Sequence, residues 1–192
     1  MILQLKRWSL RVVALASAGV LALIGYLAVL HYNGNFHAVV AGEVYRSAQV
    51  KGGQLAEYTQ QVGLKSVLNL RGASPRSDWY RDEVAESARL GLIHADFELS
   101  ASREVTHEEA VQLIALLRAL PKPLLIHCKR GSDRTGLLSA LYLAAVKGAD
   151  EETAEKQLSL FYGHFSVPYL SAAYAMDESW ERFEGSIVFA EN

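Results

Sequence analysis

Residues 124–136 read Leu-Leu-Ile-His-Cys-Lys-Arg-Gly-Ser-Asp-Arg-Thr-Gly, and this stretch decides how the chain folds. Its apolar start, Leu124–His127, is typical of a short, buried strand in a parallel sheet. A helix is predicted over residues 135–147, with Gly148 ending it. A strand, a loop and a helix in this order form the place where α/β folds bind ligands, beyond the carboxyl ends of the strands.

Strand-like and helix-like segments alternate on both sides of this stretch. Apolar residues predict further strands over 44–46, 65–70 and 92–99. In the last of these, alternation predicts that Ile93, Ala95, Phe97 and Leu99 face the core. Helices are predicted over 53–61, 77–90, 106–120 (opened by a capping box at Thr106), 150–160 and 169–184. The pattern predicts an α/β single domain with a mainly parallel central sheet flanked by helices.

Residues 12–30 contain no charge and, as a helix, span about 28 Å, close to the thickness of a bilayer core. Three basic residues precede them, which favours a signal anchor whose positive flank stays in the cytoplasm. A cleaved signal, with a site at 16–18, and a buried core helix are the alternatives. We therefore predict an anchor at 1–30, a tether at 31–42 and a domain at 43–192. In a bacterium this domain is periplasmic.

The composition excludes several classes of protein. With 51% hydrophobic and 21% charged residues, the 192-residue chain is too apolar to be disordered. A single cysteine permits neither an internal disulfide nor a multi-cysteine zinc site. The net charge is -2, and it falls to about -5 for residues 31–192, which gives no general case for nucleic-acid binding. We expect a monomer.

The loop after residue 127 has the chemistry of an anion site. A helix N-terminus offers free amides and a positive dipole end, and Gly131 lets the loop curl around one point. We expect Cys128 to be a nucleophilic thiolate, because the dipole and nearby cations favour its charged form. Arg134 can grip two phosphate oxygens, and Thr135 can donate its hydroxyl to the sulfur. The predicted phosphate-binding residues are Lys129, Arg130, Gly131, Ser132, Arg134 and Thr135. An inert buried thiol is the alternative for Cys128.

His127 and Cys128, followed after five residues by Arg134, Thr135 and Gly136, resemble the active-site signature of the cysteine-dependent protein tyrosine phosphatase superfamily. Residues 44–49 and 66–71 resemble segments of its compact atypical dual-specificity branch, so the resemblance covers about residues 40–165. It implies hydrolysis through a phosphocysteine on Cys128, with Arg134 binding the phosphate and a carboxylic acid protonating the leaving oxygen. No metal or cofactor is implied.

The sequence leaves the general acid open. In the family this acid usually lies in the loop that here spans 100–105, which contains no aspartate. Asp96 has a suitable spacing to Cys128. Asp133 resembles the aspartate before the arginine that some bacterial lipid-phosphatase-like members use as the acid. We rank these two together, followed by Glu104, and each could instead be a surface or structural carboxylate.

The substrate and the supporting residues also remain open. Lys129 and Arg130 either lower the energy of the thiolate or select a highly charged substrate such as an inositol phosphate, a phosphoinositide or an inositol pyrophosphate. A phosphorylated protein is the main prediction for the partner, with the membrane contacted through residues 12–30. An inactive phosphate-binding module and a sulfurtransferase are further alternatives. The expected supporting residues are Arg46 and Arg71 in ion pairs, His127 bonded to the loop backbone and His164 as a packing or capping residue.

Overall fold

The computed structural model describes residues 2–184, so Met1 and residues 185–192 of the predicted domain lie outside it. The chain divides into two compact units, Met1–Asn33 and Gly34–Asn192. The first contains helix α1 (Ile2–Tyr32). Its stretch Arg11–Tyr32 is long and apolar enough to cross a membrane, with a mean hydropathy of 2.4.

The second unit is an α/β domain, as the alternating pattern predicts. Its strands are β1 (His37–Val40), β2 (Val44–Ser47), β3 (Ser66–Asn69), β4 (Ile93–Asp96) and β5 (Leu124–His127). Its α-helices are α2 (Gln54–Val62), α3 (Asp78–Arg89), α4 (His107–Ala119), α5 (Asp133–Leu141), α6 (Glu151–Glu155) and α7 (Tyr174–Glu184). A π-helical turn, Tyr142–Val146, continues α5, and a 3-10 turn, Leu160–Tyr162, follows α6.

The sheet has the order β1-β2-β5-β3-β4, and only β1 runs antiparallel to its neighbour. The register aligns the last residues of the four parallel strands in one row: Ser47, His127, Asn69 and Asp96. The loops that follow these residues therefore leave from the same edge of the sheet. This edge is the expected ligand-binding edge of an α/β fold.

The sheet is covered on both faces. One face, with Leu68 and Ile126, packs against α4, α5 and α7 in a core that includes Leu113, Leu137 and Trp180. The other face carries Val67 and Leu125 and packs against a smaller cluster that includes Leu55 and Tyr58 of α2. Burial on both faces explains why β5 is an uninterrupted apolar run rather than an alternating one.

Two segments differ from the sequence predictions. The predicted tether 31–42 contains strand β1, which pairs with β2 and packs Val39 and Val40 against the core, so that β2 is not an exposed edge. The predicted helix over 150–160 begins as expected, with the Asp150 side chain accepting from the Thr153 amide. It ends at Glu155, because the chain turns there and the carbonyl of Gln157 accepts from Arg46 instead.

Strand β4 also differs from its prediction. Ile93, predicted to face the core, is 51% exposed. The side chain of His94, predicted to face solvent, is only 9% exposed, and its Nε2 lies 2.9 Å from Oε1 of Glu83. The strand lies at the edge of the sheet, and a buried carboxylate on α3 gives the histidine a partner inside. Alternation is therefore confirmed for Ala95, Phe97 and Leu99, which pack in the core, and it fails at Ile93 and His94.

Gly131 fixes the loop after β5 against β2. Its φ is +71°, and a Cβ at this position would lie 2.5 Å from the carbonyl carbon of Ser47 and 2.6 Å from the amide nitrogen of Ala48. Such distances are shorter than any van der Waals contact, so a side chain would force the loop away from β2. Glycine is required here both for its φ and for the close approach of two backbones.

We expect Gly131→Ala to destabilise the protein by about 1–3 kcal/mol and to distort the loop, since strain and a backbone clash add. Gly148→Ala is the matched control, because its φ is +67° but nothing lies within 4 Å of its Cβ position. Thermal unfolding and activity of both variants measure the difference. Equal losses in the two variants would contradict the packing argument.

Candidate active site

Cys128 begins the loop between β5 and α5, and its side chain is buried beside the core of the α4–α5–α7 face. It is a free thiol. The following residues, Lys129 and Arg130, are exposed, and α5 begins at Asp133. The first amides of α5 therefore lack a carbonyl one turn earlier and can receive an anion held in front of the thiol.

Arg46 of β2 holds the inner side of this loop. Its Nη2 donates to the carbonyl of Gly131 at 2.8 Å and to that of Ser132 at 3.2 Å. Its Nη1 donates to both the carbonyl and the side chain of Gln157 at 2.9 and 2.8 Å. The Tyr162 ring lies 3.9 Å from the guanidinium carbon. Carbonyl, amide and aromatic groups thus surround this side chain, so the ion pair that the sequence predicts for it is not formed within residues 2–184.

Arg46 is fully buried, and this burial lowers its pKa to about 10. The electrostatic effects of Tyr162, Cys128 and Asp133 oppose that shift. The side chain therefore stays charged at neutral pH and contributes a buried positive charge behind the loop. Its position favours anionic groups at Cys128 and at the first turn of α5.

Arg134, in the first turn of α5, is oriented by two carbonyls from neighbouring loops. Its Nη1 donates to the carbonyls of Leu70 and Leu99, both at 3.1 Å. Leu70 follows β3 and Leu99 lies in the loop after β4, so the two loops position one guanidinium. Among residues 2–184 no hydrogen-bond partner takes its other N–H groups, which leaves them available for a phosphate oxygen.

A buried carboxylate supports the loop from the opposite face of the sheet. Oε1 of Glu83 lies 3.0 Å from Nε2 of His127 and 2.9 Å from Nε2 of His94. Burial alone would raise the pKa of Glu83, but His127 and His94 outweigh it and lower this pKa to about 2. His127 therefore contacts a helix side chain rather than the loop backbone that the sequence predicts. Glu83 is a supporting residue that the sequence analysis missed.

The same network reaches Arg71, which follows β3. Gln49 donates from Nε2 to Oε2 of Glu83, and its Oε1 accepts from Nη1 of Arg71 at 2.7 Å. The guanidinium of Arg71 stacks on Trp79 at 3.6 Å. Burial and the nearby positive charge of Arg134 lower the pKa of Arg71. Two arginines therefore flank the loop, and Arg71 is held by an amide and a ring, where the sequence predicts an ion pair.

Asp133 is tied to a buried histidine. Its Oδ1 lies 2.8 Å from Nδ1 of His164, whose Nε2 lies 3.1 Å from Oδ1 of Asp177 in α7. Burial alone would lower the pKa of His164, but its bonds to the two carboxylates raise it to about 9. His164 is therefore an imidazolium that links the first turn of α5 to α7. This role is more specific than the packing or capping role that the sequence predicts.

The other two candidate acids have different partners. Asp96 ends β4 and accepts from Asn69 Nδ2 at 2.8 Å and from the Tyr80 hydroxyl at 2.5 Å. It lies one strand beyond Asn69 and two beyond His127, about 10 Å across the sheet. Glu104 forms an ion pair with Arg182. Of the three candidates, Asp133 alone lies between Cys128 and Arg134, at the start of α5.

The remaining predicted contact is that of Thr135 with the sulfur. The Thr135 hydroxyl is buried and has no hydrogen-bond partner among residues 2–184, so the predicted donation to Cys128 is not formed in this structure. Within the same described range, no group of three His, Cys, Asp or Glu side chains is placed to hold a metal ion.

We expect His164 to stabilise the protein in a pH-dependent way. Its pKa is raised in the folded state, so its contribution is complete below about pH 6.5 and is lost as pH rises through about 9. The full difference is on the order of 3 kcal/mol. Relative to wild type, His164→Asn should therefore be markedly less stable at pH 6 and only slightly less stable at pH 10, as measured by thermal unfolding in detergent. His107→Asn, at an exposed histidine, is the control and should follow wild type at both pH values.

A model of the tyrosine phosphatase family matches residues 31–157. Among curated proteins, the dual specificity protein phosphatase TpbA of Pseudomonas aeruginosa is 29% identical over 117 residues, which is 60% of this chain and 49% of that protein. The chain thus spans about half the length of the curated relatives it matches.

Solved structures share the fold. A crystal structure of P. aeruginosa TpbA has a TM-score of 0.59 at 23% identity, and the match covers 79% of this chain and 89% of the TpbA chain. A second TpbA structure, in complex with pTyr, has a TM-score of 0.57 at 22% identity, and the match covers 80% of this chain and 92% of the TpbA chain. The core catalytic domain of the PP-IP phosphatase SIW14 from S. cerevisiae has a TM-score of 0.59 at 20% identity, covering 78% and 90%.

These similarities confirm the resemblance that residues 127–136 indicate. The family model covers well over half of the 192 residues and includes both the sheet and the loop that contains Cys128 and Arg134. The curated relatives that it matches are dual specificity protein phosphatases, and the chain itself belongs to the tyrosine phosphatase family.

Proposed function

We propose that the protein is a phosphatase that hydrolyses phosphate monoesters, of the phosphotyrosine or dual-specificity type, through a phosphocysteine intermediate. The observation that carries this proposal is the placement of Cys128 and Arg134 in one loop, with the guanidinium held by the carbonyls of Leu70 and Leu99. A catalytically idle phosphate-binding module would not need a nucleophile at the centre of this site.

In the proposed reaction, Sγ of Cys128 attacks phosphorus, and the bond from phosphorus to the ester oxygen breaks. Arg134 and the loop amides bind the non-bridging oxygens, where negative charge is held during transfer. Lys129, Arg130, Gly131, Ser132 and Thr135 complete the proposed phosphate-binding set. Water then attacks phosphorus, the S–P bond breaks, and inorganic phosphate leaves.

We assign the proton donor for the leaving oxygen to Asp133 in preference to Asp96. Only Oδ1 of Asp133 is bonded to His164, and no partner within residues 2–184 takes its Oδ2, which can carry the transferred proton. Both oxygens of Asp96 already accept hydrogen bonds. After transfer, the Asp133 carboxylate can take a proton from the water that hydrolyses the phosphocysteine. Asp96 remains the second candidate.

A phosphorylated protein is the first proposed substrate, in line with the dual specificity of the relative TpbA and its complex with pTyr. A phosphorylated inositol or phosphoinositide is the second. The observations that favour it are the two exposed cations Lys129 and Arg130 beside the loop, and the fold shared with a PP-IP phosphatase. Arg71, whose pKa is lowered by burial and by the nearby charge of Arg134, adds to the positive charge beside the loop.

We further propose that α1 anchors the protein in a membrane and that the domain acts as a monomer, in the periplasm if the organism is bacterial. The support is the length and hydropathy of Arg11–Tyr32, whose side chains are not buried in the structure. The basic residues before it favour a cytoplasmic N-terminus.

Cys128→Ser should abolish turnover of p-nitrophenyl phosphate, and Arg134→Lys should lower it by roughly 10³-fold, because a single ammonium cannot grip two oxygens. Arg89→Lys, on the exposed side of α3, is the control and should retain activity. Activity that survives Cys128→Ser would refute the covalent mechanism. Parallel assays on phosphotyrosine peptide, phosphoinositide and inositol pyrophosphate then identify the substrate class.

Asp133→Asn should lower kcat for phenyl phosphate by about 10²–10⁴-fold and flatten the basic limb of its pH profile, with a smaller loss for p-nitrophenyl phosphate. A poor leaving group needs the proton, whereas p-nitrophenolate does not. Asp177→Asn removes the other carboxylate bonded to His164 but does not alter the loop, so it controls for the loss of an ion pair with His164. If Asp96→Asn instead shows the dependence on leaving group, the assignment to Asp133 is wrong.

A further inference from the structure

An exposed group of apolar side chains lies in residues 160–170, between α6 and α7; we call this stretch the apolar segment. Leu160 is 44% exposed, Phe165 56%, Tyr169 87% and Leu170 85%. So many large apolar side chains at the surface within eleven residues usually mark an interaction site. The chemistry of the proposed active site uses none of them.

The apolar segment is bonded to the start of the folded domain. Asn35 is 3% exposed, and its Nδ2 donates to the carbonyl of Tyr162 at 2.9 Å. The ring of His37 lies 5.2 Å from that of Tyr162 and 5.5 Å from that of Phe161. The first residues of the domain therefore contact the apolar segment at Phe161 and Tyr162.

The same asparagine also binds the catalytic loop. Its Nδ2 donates to the carbonyl of Arg130 at 3.1 Å. The exposed side chains of Lys129 and Arg130 therefore lie on the same side of the domain as its first residues. Aromatic and aliphatic side chains next to basic ones are the combination that settles at the interface of an anionic bilayer.

The short chain between the proposed membrane span and Asn35 indicates that this surface lies near the bilayer. Asn35 is three residues past Tyr32, the end of the proposed membrane span, so about 10 Å of extended chain separates them. Because this connection is so short, the first residues of the domain cannot lie far from the bilayer. This step rests on the proposed anchoring through α1.

We propose that the apolar segment, together with Lys129 and Arg130, is a membrane-docking surface that seats the domain on the bilayer in which α1 is anchored. Leu160, Phe165, Tyr169 and Leu170 enter the interfacial region, and the two cations contact anionic headgroups. The catalytic loop then lies at the headgroup level. Phosphate groups carried at the membrane surface reach it more readily than phosphates free in solution.

The lone cysteine makes a direct test possible. In the full chain carrying Cys128→Ser, single cysteines are introduced as Phe165→Cys, Leu170→Cys, Ile93→Cys and Ala22→Cys and labelled with bimane. Ile93 is the matched control because it is 51% exposed and lies on β4, at the edge of the sheet opposite β1. Each protein is reconstituted in vesicles of phosphatidylethanolamine and phosphatidylglycerol, with and without brominated acyl chains.

Brominated lipid should quench the labels at 165 and 170, shift their emission to the blue and leave them protected from aqueous iodide. The label at 93 should show the reverse. Quenching at 22 but not at 165 or 170 would leave the anchor intact and overturn the docking surface. Absence of quenching at 22 would overturn the anchor itself, and the docking surface with it. Protection of 165 and 170 from both quenchers would mean that protein covers the segment, which also overturns the proposal.

Discussion

The guanidinium of Arg46 is fully buried, and the shape of the loop between β5 and α5 depends on it. Transferring a charge into a protein interior is costly unless hydrogen bonds replace its hydration. Here the carbonyls of Gly131, Ser132 and Gln157 supply those bonds, so the charge is stabilised only when the loop and the end of α6 are in place. The loop cannot relax without leaving this cation unsolvated. A residue in β2 thereby enforces the curvature of a backbone 85 residues later.

A second buried charge supports the loop from the other face of the sheet. Glu83 of α3 binds His127 directly before Cys128, and through Gln49 it reaches Arg71. The anion site is therefore bordered by Arg46 behind the loop and by Arg71 and Arg134 beside it. Carbonyls, amides and rings hold these side chains, and within residues 2–184 none of the three forms an ion pair with a carboxylate. Such a site is preorganised for an anion, so the proposed binding of phosphate would require little reorganisation.

His164 connects this site to the periphery of the domain. It is an imidazolium between Asp133, in the first turn of α5, and Asp177 of α7, and it lies within the apolar segment. A contact that moves the apolar segment would therefore act on Asp133 through a single side chain. Asn35 provides a second connection, because one amide group binds both the apolar segment and the carbonyl of Arg130. The proposed proton donor and the proposed membrane-facing surface thus share one hydrogen-bonded frame.

Local patterns in the sequence determine much of this protein. The apolar run of β5, the Thr106 capping box and the glycine after α2 predict their elements because each depends on neighbouring residues alone. Cys128 and Arg134 are found in the same way, since one loop holds both. Patterning fails for β1, for the end of α6 and for Ile93 and His94 of β4. In these places pairing with β2, the bond from Arg46 and the carboxylate of Glu83 override local preference.

The tertiary structure alone decided which side chains meet the loop. The bonds that Arg46, Glu83, His164 and Asn35 form with the loop and with the residues around it connect positions 31 to 127 residues apart. No local spacing encodes such contacts. The kinds of partner also differ from those that the sequence predicts, because a buried charge binds whichever polar atoms the packed elements place around it. The sequence therefore determined where the proposed nucleophile and the proposed phosphate-binding arginine lie, whereas the fold decided how they are held and which carboxylates surround them.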